Sequence, residues 1–380
     1  MYFGILSLSQ MKNIIRKIEI IPIQIELNEP FVISKGPLTH ASITIVKIFI
    51  DDGTYGIGEC CPYRTIHGET QMGSVAAAKD LAHLLIGHDA TEIRRLIVKM
   101  DKSLAGNASI KGAYDMALYD LNAKLVEQPL FQYLNGSNDK DIYTDMTVSL
   151  LSKDKMIEKA LKFQSDGFPV LKVKLGDTAD RDIDRIKGIR EAVGIDLPLR
   201  IDANQGWNYT QALKALNEMY PYDIEHCEAP IYCGNLIHLN DLREKSPIPI
   251  MADEAVFTHK DAFQVLARGC ADLINIKLGK SGGICHAMKI ASIAEAFGVD
   301  CQVGSFSESR LGITALVHFS LAWDHIKFFD LDSPLMHSED PIIGGMEYHK
   351  DWKVTVTDTP GIGADYDTTF LKNFDSVVIQ

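Results

Sequence analysis

The sequence has no long apolar run, since no segment approaches the roughly 18 consecutive apolar residues that a membrane-spanning helix needs. It also has no block of lysines and arginines, and its formal net charge is −13. A strongly acidic chain is repelled by nucleic-acid phosphates and by anionic lipid surfaces. These absences predict a protein that has neither a nucleic-acid partner nor a membrane partner.

The CxxC spacing of metal-binding and redox-active cysteines is missing as well. The seven cysteines are scattered, odd in number and without CxxC spacing, so neither a disulfide framework nor a zinc site is expected. We therefore predict reduced thiols and a cytoplasmic location. The first ten residues, MYFGILSLSQ, lack the basic start and the cleavage site of a signal peptide. Met11 is an equally good start, and we expect residues 1–10 to be an extension of little consequence.

The glycine-rich turn GxGxxG is absent, which argues against a doubly wound sheet that binds a dinucleotide. What is present from about residue 140 is an alternation of strand-like and helix-like segments. The strand-like runs are IYTDMTVS (142–149), VLKVKL (170–175), LRID (199–202), IEHCE (224–228), PIMADE (249–254), LINIKL (273–278), CQVGS (301–305) and KFFDLD (327–332). Eight strands with helices between them predict an α/β fold, a parallel (β/α)8 TIM barrel.

The segment before the barrel has a different pattern. Residues 12–60 alternate apolar and polar residues and predict an antiparallel meander, interrupted by a polar loop, NEPFVISKGPLTHA, at 28–41. Residues 70–100 and 109–127 have helical spacing. We predict an α+β N-terminal capping domain over 12–135, the barrel domain over 136–335, and an irregular C-terminal segment over 336–380 that folds back onto the capping domain.

Carboxylates stand at the ends of three consecutive barrel strands. Asp202, Glu228 and Asp253 lie 26 and 25 residues apart, about one strand–helix unit each. The C-terminal ends of barrel strands meet at one face, and three neighbouring carboxylates cannot all stay ionised without a cation. An all-oxygen ligand set suits Mg²⁺. We predict one Mg²⁺ per subunit here, because helix capping or pairing with an arginine would explain one such residue but not three in register.

Two lysines, Lys172 and Lys174, share one face of an otherwise apolar strand. In a ring of eight strands, this second strand lies opposite the sixth strand, which carries Lys277. The fourth strand lies opposite the eighth strand, which carries Asp330 and Asp332. A substrate with a carboxylate on the metal and a cation on the acid pair would have a carbon between Lys174 and Lys277. We predict that one lysine removes the proton α to the carboxylate and that the other protonates the opposite face. Lys172 would lower the pKa of Lys174.

The segments that carry these residues resemble those of a known family. LKVKLG, RIDANQGW, CEAP, ADE and NIKLGKSGG are similar to the paired-lysine, metal-ligand and second-lysine segments of the enolase superfamily, in its muconate-lactonising-like subgroup. The resemblance spans nearly the whole chain and implies a capping domain on a modified barrel, with Mg²⁺ and a lysine base. FDLDSPL resembles the DxD signature of dipeptide epimerases, whose two acids bind the free amino group of the substrate.

The resemblance also implies further substrate-binding residues. These are Thr147, the loop Ser305, Phe306 and Ser307, and Lys35, which stands where Ala-Glu epimerases present an arginine to the side-chain carboxylate. The implied reaction is inversion of the α-carbon of the C-terminal residue of a dipeptide through an enediolate. L-Ala-L/D-Glu and related L-Ala-X dipeptides are the expected substrates, peptidoglycan recycling is the expected context, and a homo-oligomer is the expected assembly.

Several alternatives stay open. One is an N-acylamino acid racemase or an o-succinylbenzoate synthase, although such enzymes, like muconate cycloisomerases, have no need of two acids at the end of strand 8. Another is a dipeptide epimerase with a hydrophobic or other preference at X. The alternative without catalysis is a barrel that binds Mg²⁺ and a peptide, but binding alone needs no pair of opposed lysines.

Overall fold

A computed structural model describes residues 13–380. The expected extension at residues 1–10 and the first residue of the predicted capping domain, residue 12, lie outside the described residues. Within 13–380, no helix is both long and apolar enough to cross a membrane. All seven cysteines are free thiols.

A long antiparallel hairpin opens the described chain. β1 (Lys17–Ile33), β2 (Gly36–Phe49) and β3 (Tyr55–Cys60) pair in chain order. The predicted polar loop at 28–41 is wrong, because β1 and β2 continue through it, with a register shift between Glu26 and Phe31. The turn needs only Ser34 and Lys35, since Gly36 has a φ of +115° that a residue with a side chain rarely adopts. The end of the hairpin is therefore ordered strand.

Helices cover this meander and connect it to the barrel. They are α1 (Arg64–His67), α2 (Gln71–Leu85), α3 (Ile93–Ser103), α4 (Ala108–Leu125) and α5 (Leu130–Tyr133). Residues 109–123 of α4 are all buried, since α4 lies between the meander and the barrel and contacts both. The two predicted helical regions are confirmed, and the first of them divides into α2 and α3.

The barrel confirms the predicted fold class. After the short strand β4 (Ile142–Tyr143), its strands are β5 (Met146–Val148), β6 (Leu171–Lys174), β7 (Leu199–Asp202), β8 (Ile224–Glu228), β9 (Ile250–Ala252), β10 (Leu273–Ile276), β11 (Cys301–Val303) and β12 (Ile326–Phe329). Among the described residues these eight pair in parallel and in chain order. The amide of Asp145 donates to the carbonyl of Phe329 at 3.2 Å, which joins the first strand to the last.

Helices on the outside of the barrel alternate with these strands. They are α6 (Lys153–Ser165), α7 (Ala179–Val193), α8 (Tyr209–Met219), α9 (Leu236–Lys245), α10 (His259–Ala267), the single turn α11 (Leu278–Ser281), α12 (Ile284–Ala296) and α13 (Arg310–Ser320). α8 and α10 begin at capping boxes, formed by Asn208 with Gln211 and by Thr258 with Asp261. Such caps fix where each helix starts, and hence the length of the loop that precedes it.

The C-terminal segment returns to the first sheet. It contains β13 (Ile342–Gly344), β14 (Glu347–Tyr348), β15 (Lys353–Thr355), β16 (Ala364–Tyr366), α14 (Thr368–Leu371) and β17 (Val377–Ile379). β17 pairs with β1, and β15 pairs with β4. The return of the segment is confirmed, and short strands and one helical turn interrupt its predicted irregular course. The predicted domain boundaries stay predictions; the one at 335/336 falls inside a single 3-10 turn, Ser333–Met336.

Barrel strands are buried on both faces, with different chemistry on each. Outward residues such as Val173, Ile201 and Val303 are apolar, whereas most of the alternate residues, which face the interior, are polar. The buried polar residues of β5–β11 are Thr147, Lys172, Lys174, Arg200, Asp202, His226, Glu228, Asn275 and Gln302. Because buried charges require partners, this polar interior brings the functional groups together.

Candidate active site

Two lysines meet across the C-terminal face of the barrel. Lys174 ends β6 and Lys277 directly follows β10, and these strands are four positions apart in the eight-stranded ring. Both side chains are less than a tenth exposed, and both line one cavity. The structure thus places the two predicted acid/base residues around a common space.

The three predicted metal ligands lie at the ends of neighbouring strands. Asp202 and Glu228 are register partners on β7 and β8, and Asp253 follows β9. All three are buried, and each accepts from a lysine: Lys174 Nζ lies 2.6 Å from Asp202, Lys172 Nζ 2.7 Å from Glu228, and Lys277 Nζ 2.8 Å from Asp253. These ammonium groups offset the burial that would raise the carboxyl pKa values, so the pKa values of Glu228 and Asp253 lie below their usual ones.

Lys172 crosses the interior of the barrel below the cavity. Its Nζ lies 2.7 Å from Glu228 Oε2 and 2.7 Å from Asp330 Oδ2, and its side chain is 1% exposed. Burial alone would lower the pKa of Lys172, but Asp330, Glu228 and Asp202 raise it well above its ordinary value. Lys172 is therefore held as an ammonium group that connects two groups of carboxylates.

The donor set beside Asp253 fits a hard divalent cation. Glu254 and Asn204 line the cavity, and both carboxylate oxygens of Glu254 and the Oδ1 atom of Asn204 are buried without a hydrogen-bond partner. Burial and the neighbouring Asp253 raise the pKa of Glu254 to about 8. Oxygen atoms of this kind beside three carboxylates are the ligands that Mg²⁺ prefers. A bound Mg²⁺ would stabilise negative charge that develops on a substrate carboxylate.

The two acids after β12 lie opposite these ligands. Asp330 and Asp332 line the cavity, and β12 is four strands from β8, which carries Glu228. Asp330 accepts from Lys172, and Asp332 Oδ2 accepts from the amide of Thr147 at 2.7 Å. Burial and the nearby Asp330 raise the pKa of Asp332 to about 7. An acid pair in this state can accept a cationic group of a ligand.

The remaining predicted substrate residues divide into two groups. Thr147, Ser305 and Phe306 line the cavity. Ser307 is buried but is not part of the cavity lining. Lys35 is exposed and lines an adjoining groove together with Arg64, so in this structure it is separate from the space between the two lysines. Its contact with the substrate side chain stays a prediction.

The roof of the cavity is apolar and comes from the N-terminal hairpin and the segment around α1. Phe31, Ile33, Tyr63 and Ile66 supply it, and Met336 adds a further apolar side chain. Ser34 Oγ donates to the carbonyl of Asn204 at 2.8 Å and so ties the hairpin to the barrel. These residues were not predicted. Their apolar character was visible in the sequence, but nothing in the sequence indicated which barrel face they would cover.

Two known protein families match parts of the sequence. Residues 15–135 match the N-terminal domain of the mandelate racemase / muconate lactonizing enzymes, and residues 155–370 match the enolase C-terminal domain-like family. The chain belongs to the enolase superfamily. The second match alone covers more than half of the chain, and the site described above lies on its strands together with the hairpin of the first.

Known relatives are similar over nearly their whole length. A D-Ala-D/L-Ala epimerase of Cytophaga hutchinsonii is 41% identical over 97% of this chain and 100% of its own chain. An L-Ala-D/L-Glu epimerase of Bacillus subtilis is 40% identical over 91% of this chain and 95% of its own. A crystal structure of the dipeptide epimerase from Cytophaga hutchinsonii with Mg and the dipeptide D-Ala-L-Val has a TM-score of 0.96 at 40% identity, covering 97% and 100% of the chains. These relatives are isomerases, and this chain is an enzyme of the same class.

Proposed function

We propose that this enzyme is a Mg²⁺-dependent dipeptide epimerase that inverts the α-carbon of the C-terminal residue. The observation that carries the proposal is the cavity in which Lys174 and Lys277 stand on opposite strands, with Asp330 and Asp332 on a third side. One lysine takes the α-proton, and the other delivers a proton to the opposite face. Asp202, Glu228 and Asp253 would hold one Mg²⁺ per subunit, and that ion would supply the positive charge that binds the substrate carboxylate.

The acid pair supports a dipeptide with a free amino group as the substrate. An N-acylamino acid racemase or an o-succinylbenzoate synthase has no cationic group to place beside Asp330 and Asp332. An extended residue spans about 3.3–3.6 Å, so a dipeptide extends one residue further from the metal side toward these acids than a free amino acid does. Asp330 is paired with Lys172, but Asp332 has no lysine, arginine or histidine within ion-pair distance among the described residues, so loss of the substrate ammonium should remove most of kcat/KM.

For the side chain at X, the cavity roof favours an apolar or small residue. Phe31, Ile33 and Ile66 offer no charge to a carboxylate, and Lys35 lies in the adjoining groove. The relatives include a D-Ala-D/L-Ala epimerase and an L-Ala-D/L-Glu epimerase. Membership of the superfamily therefore does not decide which residue is preferred at X. L-Ala-L/D-Glu remains the second candidate because Lys35 and Arg64 line a groove that shares Tyr63 with the cavity. We further propose a cytoplasmic homo-oligomer with a place in peptidoglycan recycling.

The test is incubation with L-Ala-X dipeptides in D₂O, followed by mass spectrometry. The proposal predicts Mg²⁺-dependent gain of one deuterium at the α-carbon of X and formation of the epimer, fastest for apolar X. A barrel that only binds Mg²⁺ and a peptide would exchange no α-hydrogen. Exchange of N-acylated amino acids without exchange of dipeptides would favour the racemase alternative instead.

A further inference from the structure

Asp145 is a third buried carboxylate beside the acid pair. It precedes β5 and is fully buried, and one oxygen each of Asp145, Asp330 and Asp332 lies within 4.8 Å of the others. Its Oδ2 accepts from Arg200 Nη1 at 2.9 Å, whereas its Oδ1 is buried without a hydrogen-bond partner. An unpartnered buried oxygen among carboxylates indicates that the group needs something from outside the protein.

The negative charges of Asp145, Asp330 and Asp332 exceed the positive charges of the side chains that pair with them. Asp145 pairs with Arg200 and Asp330 pairs with Lys172, but among the described residues no lysine, arginine or histidine lies within ion-pair distance of Asp332. Arg200 is shared with Glu225, and Lys172 is shared with Glu228. Burial and the neighbouring Asp330 raise the pKa of Asp145 well above its usual value. The group is therefore short of about one positive charge.

A monovalent organic cation fits this shortage better than a metal ion. Two of the three carboxylates already hold cationic side chains, so a divalent ion would exceed the missing charge. Mg²⁺ also demands near-octahedral oxygen ligands at about 2.0–2.1 Å, whereas an ammonium group donates hydrogen bonds to acceptors at ordinary distances.

We propose that Asp145 is a positioning residue that makes the Asp330–Asp332 pair select a cationic substrate terminus over a neutral one. It acts through the pair, because its carboxyl lies within 4.8 Å of both acids and disfavours any ionised state of the pair that lacks a bound cation. The inference rests on the proposed dipeptide epimerase function. Asp145 lies before β5, whereas the active sites of such barrels usually lie at the C-terminal ends of the strands.

The test compares a dipeptide with its des-amino analogue, N-propionyl-X, which has the same shape without the ammonium. The readout is the ratio of the inhibition constant of the analogue to the KM of the dipeptide. In Asp145→Asn, which keeps an oxygen for Arg200, we expect this ratio to fall about tenfold or more, as for the loss of one charge-assisted interaction. Glu225→Gln, which alters the half-exposed partner of Arg200, is the matched control and should leave the ratio unchanged.

The outcomes separate this inference from the proposed function. If the wild-type protein exchanges the α-hydrogen of no dipeptide, the proposed function is overturned. If it does exchange and Asp145→Asn keeps the wild-type ratio, or weakens both ligands alike, only the role of Asp145 is overturned. If Asp145→Asn loses Mg²⁺ binding in calorimetry while the ratio of the two constants is unchanged, the three carboxylates form a metal site instead. Should Asp145→Asn not fold, the double variant Asp145→Asn/Arg200→Gln removes both buried charges and carries the same comparison.

Discussion

At the scale of the residue, each buried lysine of the site is paired with at least one carboxylate. Lys280 illustrates this, since its Nζ is buried and lies 2.7 Å from Asp253 Oδ1 and 2.6 Å from the Asp253 carbonyl. An unpaired buried ammonium would be costly, so each lysine of the site is held where a carboxylate is available. Lys172 and Lys174 are stable inside a strand for the same reason.

The proposed metal ligands can be tested singly. Asp202→Asn and Glu228→Gln each remove one negative oxygen ligand while they keep the shape of the side chain. We expect α-hydrogen exchange to fall at least about 1,000-fold, because a metal ion contributes several kcal/mol to a transition state that gains negative charge. Calorimetry should show loss of Mg²⁺ binding in both variants.

A control for these variants is Glu244→Gln, which removes a charge from an exposed position of α9 and should change neither quantity. Near-normal Mg²⁺ affinity in either active-site variant would mean that the ligand set has been assigned wrongly.

At the scale of the element, the end of the β1–β2 hairpin and the segment around α1 decide what lies above the lysines. Phe31 and Ile33 come from β1, and Ile66 comes from α1. These elements are far from the barrel strands in sequence, so they can vary while the lysines and carboxylates stay in place. Substrate preference should therefore be set by the roof, and the reaction by the strand ends.

A pair of variants tests the roof. Ile66→Lys places a cation in the apolar lining and should shift the ratio of kcat/KM for L-Ala-L-Glu over L-Ala-L-Leu upward about tenfold, by an added charge interaction. Lys35→Glu changes an exposed residue of the adjoining groove, and we expect it to leave that ratio within about twofold. A large downward shift in Lys35→Glu would show that Lys35 reaches the substrate, and would restore the acidic dipeptide as the preferred substrate.

Gly176 lets the loops after β6 and β7 approach each other. Its φ is +103°, and a Cβ atom there would lie 2.3 Å from the carbonyl oxygen of Ala203 and 2.8 Å from Ser34 Cβ. We expect Gly176→Ala to destabilise the protein by about 2–4 kcal/mol in urea unfolding, from strain and a backbone clash combined. Exchange activity should also fall, because Lys174 and Asp202 stand directly before these loops.

The matched control is Gly194→Ala. Gly194 also has a positive φ, +82°, but nothing lies within 4 Å of its added Cβ, so only the strain of about 1 kcal/mol applies. If both variants lost the same free energy of unfolding, the close approach of the two loops would not contribute to the loss in Gly176→Ala.

At the scale of the whole molecule, the barrel could be predicted because its signals are local. Each strand is a short apolar run between helical segments, and the residue that follows a strand lies on a known face. The positions of Asp202, Glu228 and Asp253 at the ends of neighbouring strands could therefore be predicted from spacing alone. The roof, the ordered end of the hairpin and Asp145 could not be found in that way. Phe31 meets Lys174 only through tertiary packing, and Asp145 precedes its strand, where no such rule directs attention.

The central claim is that Lys174 and Lys277 act on opposite faces of one carbon. The most direct measurement is α-hydrogen exchange in D₂O for both epimers of one L-Ala-X dipeptide, with Lys174→Ala and Lys277→Ala. Each variant keeps one lysine, so each should exchange one epimer and lose the other at least about 100-fold, in complementary fashion, and neither should form the opposite epimer. The claim would be contradicted if both variants lost exchange of both epimers while still binding them, or if one variant still interconverted the epimers.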